Sequence, residues 1–215
     1  MKITEIFESI DGEGKRAGSL VTFIRTYGCP LRCSYCDSMY SVDDKTTKVE
    51  YLSVDEILSK VDELGHHNIT ITGGEPLIQS DMKHLLEVLG DAGYDVNVET
   101  SGSVYPEYFL DLPNVWYTID YKLPSSDMED KMENRIFELA CEEDVIKFVI
   151  GSDEDLNRTL EILKKFEFPC AVYLSPVFGF DSKKIVEFMI SNKLETCKIQ
   201  LQLHKYIWDP DMRGV

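Results

Sequence analysis

Three of the six cysteines in this chain lie within eight residues, at Cys29, Cys33 and Cys36, in the spacing C-x3-C-x2-C. An odd number of thiols packed this densely is a poor framework for disulfides. Clustered thiolates instead suit a soft metal ion or an iron–sulfur cluster. Because a tetrahedral site needs four ligands, either a fourth protein ligand comes from elsewhere, or one metal position stays open for a small molecule, as a catalytic site requires.

The bulk composition limits the classes of partner. The chain has 215 residues, of which 43% are hydrophobic, so one core and one domain are expected. Its 39 acidic and 22 basic residues give a net charge of −17 at pH 7. A surface this acidic should not bind nucleic acid, because its charge has the same sign as that of the phosphates.

Several features favour the cytosol. No apolar run reaches about 18 residues, so no transmembrane helix is expected, and residues 1–9 lack the apolar core of a signal peptide. Clustered reduced cysteines fit a reducing compartment. The other cysteines lie in apolar or periodic segments and are predicted to be buried core thiols: Cys141, Cys170 and Cys197.

Strand and helix patterns alternate along the chain without a break in composition. The predicted strands cover residues 1–8 (an edge strand), 20–25, 68–72, 95–99, 114–120, 145–150, 171–174 and 198–203. The predicted helices cover residues 54–64, 80–91, 129–141, 153–166 and 181–190, with a helical turn near 105–110 and an irregular stretch at 39–52. This order predicts one α/β domain around a mainly parallel sheet, with too few βα steps for a closed eight-stranded barrel.

Polar, glycine-rich or charged residues follow many of the predicted strands. These strand exits are the cysteine loop and residues 73–76, 100–102, 120–122, 175–176 and 204–205. Ligands gather at the carboxyl ends of parallel strands. The exits are therefore better explained by one shared pocket than by independent loops.

Two of these exits resemble the signature of a known enzyme superfamily. The three cysteines, with the aromatic Tyr35 before the last one, look like the motif of radical S-adenosylmethionine (SAM) enzymes. The next strand exit, residues 73–76 (GGEP), resembles that superfamily's motif for the methionine amino group. A zinc knuckle would explain the cysteines alone, but not both motifs in this order on successive strands. The resemblance implies a single-domain, partial (open) α/β barrel.

Within that superfamily, the chain most resembles the 7-carboxy-7-deazaguanine synthases of the queuosine pathway. The resemblance spans essentially the whole chain. Residues 8–14 (ESIDGEG) resemble the family's N-terminal substrate loop, residues 23–25 (FIR) its arginine position, and residues 202–205 (QLHK) its C-terminal histidine segment.

The chain also departs from the family pattern at three places. Asp11 stands where Gln is commoner, and Ser38 stands where Thr is commoner. The tail, residues 208–215, is longer than in members whose terminal carboxylate meets the substrate, which puts such a role for Val215 in doubt.

The resemblance implies that Cys29, Cys33 and Cys36 hold three irons of a [4Fe–4S] cluster, with the fourth iron open to SAM. Gly28 and Gly74 would let the backbone approach a ligand closely. The predicted SAM-binding residues surround that position: Tyr35, Cys36, Asp37, Gly74, Glu75, Ser101, Asp120, Tyr121, Lys122, Ser175, Pro176, Val177 and Phe178. For the lysine, a solvated strand-end position is the alternative.

The resemblance also implies a Mg²⁺ ion on the hydroxyl of Ser38, beside substrate oxygens and water, because magnesium keeps few protein ligands; the alternative is a local turn cap. The predicted pterin pocket consists of Ile10, Asp11, Gly12, Glu13, Arg25, Thr72 and His204. In this set, the guanidinium of Arg25 best matches a carboxylate, and His204 titrates near neutrality.

The implied reaction converts 6-carboxy-5,6,7,8-tetrahydropterin to 7-carboxy-7-deazaguanine with loss of ammonia, through a 5′-deoxyadenosyl radical and with SAM regenerated. A flavodoxin or ferredoxin as electron donor and a homodimer are implied as well. Residues 1–18 would form the substrate loop with its strand, residues 28–52 the cluster loop, and residues 204–215 a tail closing the pocket.

Two other functions stay open on the sequence alone. A radical SAM activase, which abstracts hydrogen from a glycine of a partner protein, shares both motifs but has no need of a pterin pocket at Arg25, residues 11–14 and His204. A metal-stabilised binding module would explain the cysteines, but not the glycine-rich strand exit.

Overall fold

The computed structural model describes residues 1–106 and 112–215. The predicted helical turn near 105–110 therefore lies largely outside the described residues. The strands are β1 (Lys2–Ile10), β2 (Leu20–Thr26), β3 (Glu50–Tyr51), β4 (Asn68–Gly73), β5 (Asp95–Thr100), β6 (Val115–Lys122), β7 (Val145–Ile150), β8 (Ala171–Pro176) and β9 (Cys197–Ile199). The α-helices are α1 (Val54–Leu64), α2 (Met82–Asp91), α3 (Asn134–Glu138), α4 (Asp153–Lys165), α5 (Ser182–Asn192) and α6 (His204–Ile207).

In the described part of the chain, the strands form one open sheet in the order β3-β1-β2-β4-β5-β6-β7-β8-β9. All neighbours from β2 to β9 run parallel, whereas β1 is antiparallel to both β2 and β3. The mainly parallel, open α/β sheet predicted from the sequence is confirmed. The edge position predicted for the first strand is wrong, because β3 pairs outside it within the stretch predicted to be irregular.

Local sequence signals explain where α1 begins and ends. The hydroxyl of Ser53 accepts from the amide of Glu56, whose carboxylate accepts from the amide of Ser53 in return, so both sides of a capping box are formed. The helix stops at Gly65, which adopts a left-handed conformation with φ of 76°.

Two predicted elements are shorter in the structure. The helix predicted at residues 129–141 is broken into a 3-10 turn at Glu129–Lys131 and the short α3. The strand predicted at residues 198–203 pairs only as far as Ile199, because the chain then leaves the sheet and turns into α6.

The two faces of the sheet differ in polarity. Alternate residues of β2 to β9 pack with α1, α2, α4 and α5 in one apolar core that includes Ile24, Ile71, Val98, Ile119, Phe148 and Leu174. The intervening residues are more polar, and Thr72, Asn97, Lys147 and Ser175 are buried among them. Since side chains alternate along a strand, these polar residues share the face opposite the helices, and that face forms the pocket.

Of the three cysteines outside the cysteine loop, Cys197 is buried in the core and Cys170 is partly buried. The prediction of a buried thiol is wrong for Cys141, which is exposed just after α3. No helix among the described residues has both the length and the apolar character that a membrane span needs.

Candidate active site

The backbone of residues 73–76 is packed against the start of the cysteine loop. The amide of Glu75 donates to the carbonyl of Gly28 at 2.8 Å, and the amide of Gly74 donates to the carbonyl of Thr26 at 3.2 Å. A Cβ atom on Gly74 would lie 2.1 Å from the carbonyl oxygen of Gly28. Only glycine permits this approach, so the two motifs form one corner of the pocket.

The cysteine loop carries its three thiols free and partly exposed. It is anchored by the buried Leu31, 3% exposed, and by Ser34, whose amide donates to the carbonyl of Ser126 at 3.1 Å. Among the described residues, no three Cys, His, Asp or Glu side chains already converge as a metal site. The loop therefore fits an iron–sulfur cluster through its donor chemistry, since three free thiols on one loop are the ligands such a cluster uses.

Burial raises the pKa of Cys29 to about 11, and the carboxylate of Glu75 adds to the rise. The thiolate is the form that binds metal, so loading the loop releases protons.

Glu75 is fully buried, and protein donors surround its carboxylate. Oε1 accepts from the amide of Leu77 at 3.0 Å, and Oε2 accepts from the amide of Ser101 at 2.7 Å; the hydroxyls of Thr100 and Ser101 complete the set. Burial raises the pKa of Glu75, and these donors oppose the rise. The carboxylate thus ties residues 73–76 to the exit of β5, and a direct contact with SAM would require one of these donors to move.

The exit of β6 carries a largely buried ion pair next to the cysteine loop. Nζ of Lys122 lies 2.6 Å from Oδ2 of Asp120, with 13% and 15% of the two side chains exposed. The charges of both residues act on the thiol of Cys33 and on the phenol of Tyr35. The predicted solvated alternative for Lys122 is wrong, because its ammonium is held inside the pocket.

The side chain of Tyr121, a predicted SAM-binding residue, does not face the pocket. Its ring lies on the helix side of the sheet, with its centroid 5.3 Å from that of Phe137 and 5.6 Å from that of Phe148. The period-two alternation of β6 sends its side chain away from Asp120 and Lys122. Only its backbone can reach a ligand in the pocket.

The remaining predicted SAM wall follows β8. Ser175 is 1% exposed, and its hydroxyl has no hydrogen-bond partner among the described residues. Pro176 is buried, and the amide of Val177 donates to the carbonyl of Ile150 at 2.8 Å. Phe178 is half exposed, and its ring meets that of Tyr206 edge to face.

The loop after β1 joins the two ends of the sheet. The amide of Gly14 donates to Oε1 of Gln200 at 2.7 Å, and Nε2 of Gln200 donates back to the carbonyl of Gly14 at 2.9 Å. The amide of Leu203 donates to the carbonyl of Gly12 at 3.0 Å. A Cβ on Gly12 would lie 2.1 Å from Nδ1 of His204, so the loop backbone packs directly against the imidazole. Ile10, the last residue of β1, leads into this loop.

Asp11 anchors the loop after β1 through contacts inside the protein. It is 1% exposed, and its carboxylate accepts from Nε of Arg16 at 3.1 Å and from the hydroxyl of Thr70 at 2.9 Å. The guanidinium of Arg16 also donates to the carbonyls of Ile69 and Asp95, both at 2.8 Å. Both oxygens of Asp11 are thus used inside the protein, where the family more often has a neutral Gln.

Charged side chains that are buried or largely buried line the centre of the pocket face. Nζ of Lys147 lies 3.2 Å from Oε2 of Glu13 and 3.2 Å from Oδ1 of Asp120. Burial raises the pKa of Glu99 to about 7. The carboxylates of Asp11 and Glu13 add to this rise, whereas the charge of Lys147 and the hydroxyl of Thr72 oppose it. Burial likewise lowers the pKa of His204, against the charges of Glu13 and Asp37.

Two polar atoms in this region are buried without a partner. Among the described residues, nothing bonds Oε1 of Glu13 or Nδ2 of Asn97, although the oxygen of that Asn97 amide accepts from Thr118 at 3.0 Å. Buried polar atoms are normally paired. An acceptor, a donor and the hydroxyl of Ser175 are therefore available to a polar ligand.

Arg25 lies at the rim near the start of the sheet. Its Nε donates to Oε1 of Glu5 at 2.7 Å, and the hydroxyl of Tyr40 donates to the same oxygen at 2.7 Å. Its hydrogen bonds to described residues use Nε alone, so the two terminal nitrogens can meet a carboxylate. The pocket-facing Thr72 is its register partner on β4.

The C-terminal residues return to the cluster loop. Nζ of Lys205 lies 3.0 Å from Oδ2 of Asp37, and the guanidinium of Arg213 lies 4.1 Å from the ring centroid of Tyr40. The hydroxyl of Ser38 lies 3.3 Å from Oδ1 of Asp37. Two hard oxygens side by side suit Mg²⁺.

Sequence reasoning missed four residues of this region: Arg16, Asn97, Glu99 and Lys147. For Asn97 and Glu99 on β5 and Lys147 on β7, the signal that could have found them is a polar or charged side chain within a strand, at a position alternating with the core residues. Arg16 lies in the loop after β1, outside the strands, and carries no such signal.

Comparison with known proteins gives concordant matches. A sequence model of the radical SAM superfamily matches residues 23–189. The 7-carboxy-7-deazaguanine synthase of Clostridium acetobutylicum is 44% identical, over 100% of this chain and 99% of that protein. The enzyme of the same name from Thermoplasma acidophilum is 30% identical, over the full length of both chains.

Solved structures agree with the sequence matches. The crystal structure of QueE from Escherichia coli superposes with a TM-score of 0.77 at 25% identity, over 94% of this chain and 93% of that one. Streptococcus suis SuiB matches with a TM-score of 0.58 at 13% identity, over 84% of this chain and 48% of that one, which is a likeness of fold alone.

Proposed function

This chain belongs to the 7-carboxy-7-deazaguanine synthase family of the radical SAM superfamily, and we propose on that premise that it converts 6-carboxy-5,6,7,8-tetrahydropterin to 7-carboxy-7-deazaguanine. The conversion loses one molecule of ammonia and needs no net oxidant, so SAM can be regenerated. The observation that carries the proposal is full-length identity of 44% to an enzyme of that name, together with unsatisfied polar atoms in the pocket where a pterin would lie.

The cofactors of this family are a [4Fe–4S] cluster and SAM, which supply, when bound, a radical that removes a hydrogen atom from the substrate. Cys29, Cys33 and Cys36 would hold the cluster. Residues 73–76 and the pair of Asp120 and Lys122 would position SAM beside it. These assignments are supported by the backbone contact of Gly74 with Gly28 and by the electrostatic proximity of Lys122 to Cys33.

The pterin would lie between the loop after β1 and the polar face of the sheet. Its N–H donors would meet Oε1 of Glu13 and the carboxyl of Glu99, which can hold a proton near neutral pH. The imidazole of His204, neutral because burial lowers its pKa, can accept or donate one hydrogen bond. Arg25 would bind the pterin carboxylate through its terminal nitrogens.

A magnesium ion on Ser38 belongs to the same proposal. The hydroxyl of Ser38 and the neighbouring carboxylate of Asp37 supply hard oxygens, and the substrate carboxylate and water would complete an octahedral shell. A homodimer, a flavodoxin or ferredoxin donor, and a cytoplasmic location are proposed from the family resemblance.

One anaerobic assay tests the reaction. Reconstituted protein is supplied with SAM, Mg²⁺, dithionite and 6-carboxytetrahydropterin, and the product is sought by mass spectrometry. The expected result is the deazapurine together with one equivalent of ammonia. If SAM were cleaved without any deazapurine, the protein would remain a radical SAM enzyme but the proposed substrate would be wrong, and a glycyl-radical activase would be the next candidate.

A further inference from the structure

Lys147 occupies the middle of the pocket face of β7 and is almost completely buried, with 7% of its side chain exposed. Its ammonium lies 3.2 Å from a carboxylate on each of two different segments, Glu13 in the loop after β1 and Asp120 on β6. Burial alone would lower the pKa of Lys147, but the carboxylates of Asp120, Glu13 and Glu99 raise it well above its ordinary value. The side chain is therefore a fixed positive charge shared by two partners.

One of these partners belongs to the cofactor half of the pocket. Oδ1 of Asp120 faces Lys147, while Oδ2 lies 2.6 Å from Nζ of Lys122. The charge of Lys122 in turn acts on Cys33 and Tyr35 of the cysteine loop. Two ion pairs thus run in series from Lys147 through Asp120 to Lys122, and the charge of Lys122 reaches the loop that would hold the cluster.

The other partner belongs to the substrate half. Oε2 of Glu13 faces Lys147, and Oε1 of Glu13 is buried without a partner among the described residues. The charge of Lys147 also acts on Glu99 and on His204. A ligand that donates to Oε1 would move the Glu13 carboxylate toward itself. The ion pair of Lys147 with Glu13 would then weaken, and the ion pair of Lys147 with Asp120 would strengthen.

We propose that Lys147 is a positioning residue that couples occupancy of the pterin half of the pocket to binding of SAM in the cofactor half. The inference rests on the proposed function, because it assumes that a pterin is the ligand at Glu13. Its physical basis is that a nearly buried ammonium between two carboxylates is screened weakly by solvent, so a change in the position of one carboxylate alters the interaction of the ammonium with the other.

The experiment measures the dissociation constant of SAM for the reconstituted, unreduced enzyme, with and without saturating 6-carboxytetrahydropterin. In the wild type, we expect the pterin to tighten SAM binding by about fivefold or more. Lys147→Met should abolish the difference, giving a ratio near one, whereas Lys147→Arg should retain most of it because the charge is kept. Lys198→Met is the matched control, an exposed lysine on β9, which is separated from β7 by β8, and should behave as the wild type.

A purely structural role would lower the melting temperature or weaken both ligands without changing the ratio. Retained coupling in Lys147→Met, or no coupling in a wild type that binds both ligands, would overturn the inference while leaving the proposed function intact. A wild type that binds SAM but not the pterin would overturn the proposed function itself. If Lys147→Met does not fold, Lys147→Gln takes its place, because the amide can still donate a hydrogen bond without carrying a charge; coupling retained in that variant would also overturn the inference.

Discussion

Arg25 and Glu5 stand opposite each other on the antiparallel strands β1 and β2, and Nε of Arg25 donates to Oε1 of Glu5 at 2.7 Å. The carboxylate fixes one edge of the guanidinium and leaves the other edge for an anion. A planar fork held in this way is preorganised for a bidentate contact.

Replacing Arg25 by Ala should therefore weaken use of the pterin. The loss of a hydrogen bond to a charged group costs about 1.5–3 kcal/mol, so kcat/KM for the pterin should fall by roughly 10- to 150-fold. Steady-state kinetics measure it, with Arg135→Ala, an exposed arginine paired with Glu133, as the control. Cleavage of SAM without substrate should stay close to the wild-type rate; if both activities collapse in a folded variant, Arg25 does not act on the pterin.

Replacing Gly74 by Ala should disturb the corner that joins the two motifs. The new Cβ would lie 2.1 Å from the carbonyl oxygen of Gly28, and overpacking of this kind costs about 1–3 kcal/mol. Iron content after reconstitution and the urea midpoint should both fall. Gly93→Ala is the comparison, because that glycine has a φ of 84° but nothing within 4 Å of the added methyl. Gly74, unlike Gly93, does not have a positive φ, so Gly93→Ala should lower the urea midpoint through backbone strain and leave the iron content unchanged. Equal losses of iron in the two variants would show that general destabilisation, and not the contact with Gly28, is responsible.

Glu99 should make the folded protein less stable as the pH rises. Burial raises its pKa from 4.5 to about 7. Between pH 4.5 and pH 7, the folded state therefore keeps a proton on Glu99 that the unfolded state has already released. Below about pH 4.5, Glu99 should not lower the free energy of unfolding of the wild type relative to Glu99→Gln. As the pH rises from there through 7, the free energy of unfolding of the wild type should fall by about 3 kcal/mol relative to that variant. Urea unfolding of both proteins across this range gives the difference, and parallel curves would mean that Glu99 titrates at its ordinary value.

Ser38 should be replaceable by Thr but not by Ala. Threonine keeps the hydroxyl that would bind Mg²⁺, whereas alanine removes the only ligand atom of the side chain. In Ser38→Ala, the rate of deazapurine formation should no longer rise with added Mg²⁺; in Ser38→Thr, the dependence should remain. A magnesium response that survives in Ser38→Ala would place the ion elsewhere.

The sequence predicts best where local chemistry decides the structure. The capping box of Ser53 and Glu56 specifies the start of α1 by itself. The alternation of apolar and polar residues in β4 and β5 and the mostly apolar run of β7 predict strands. The position of the two motifs in one pocket follows from the rule that ligands gather at the carboxyl ends of parallel strands.

Prediction fails where a partner distant in sequence decides. The two residues of β3 form a strand only because β1 offers them a free edge. Asp11 is predicted to lie in the substrate loop, but its contacts with Arg16 and Thr70 depend on how the loop folds under the sheet. Lys147 is a charge inside an apolar run, and its two carboxylate partners lie 134 residues away in one case and on the adjacent strand in the other.

The contacts of Gly12 and Gly14 with Leu203 and Gln200 have a consequence for how the protein is made. Gly14 and Gln200 are 186 residues apart, and Gly12 and Leu203 are 191 apart. Contacts of such high sequence separation form late in folding, because closing a long loop costs conformational entropy. During synthesis the strands that carry the cysteine loop can pair long before residue 200 exists. The substrate half of the pocket would be finished last, so a nascent chain could acquire its cluster loop well before it could hold a pterin.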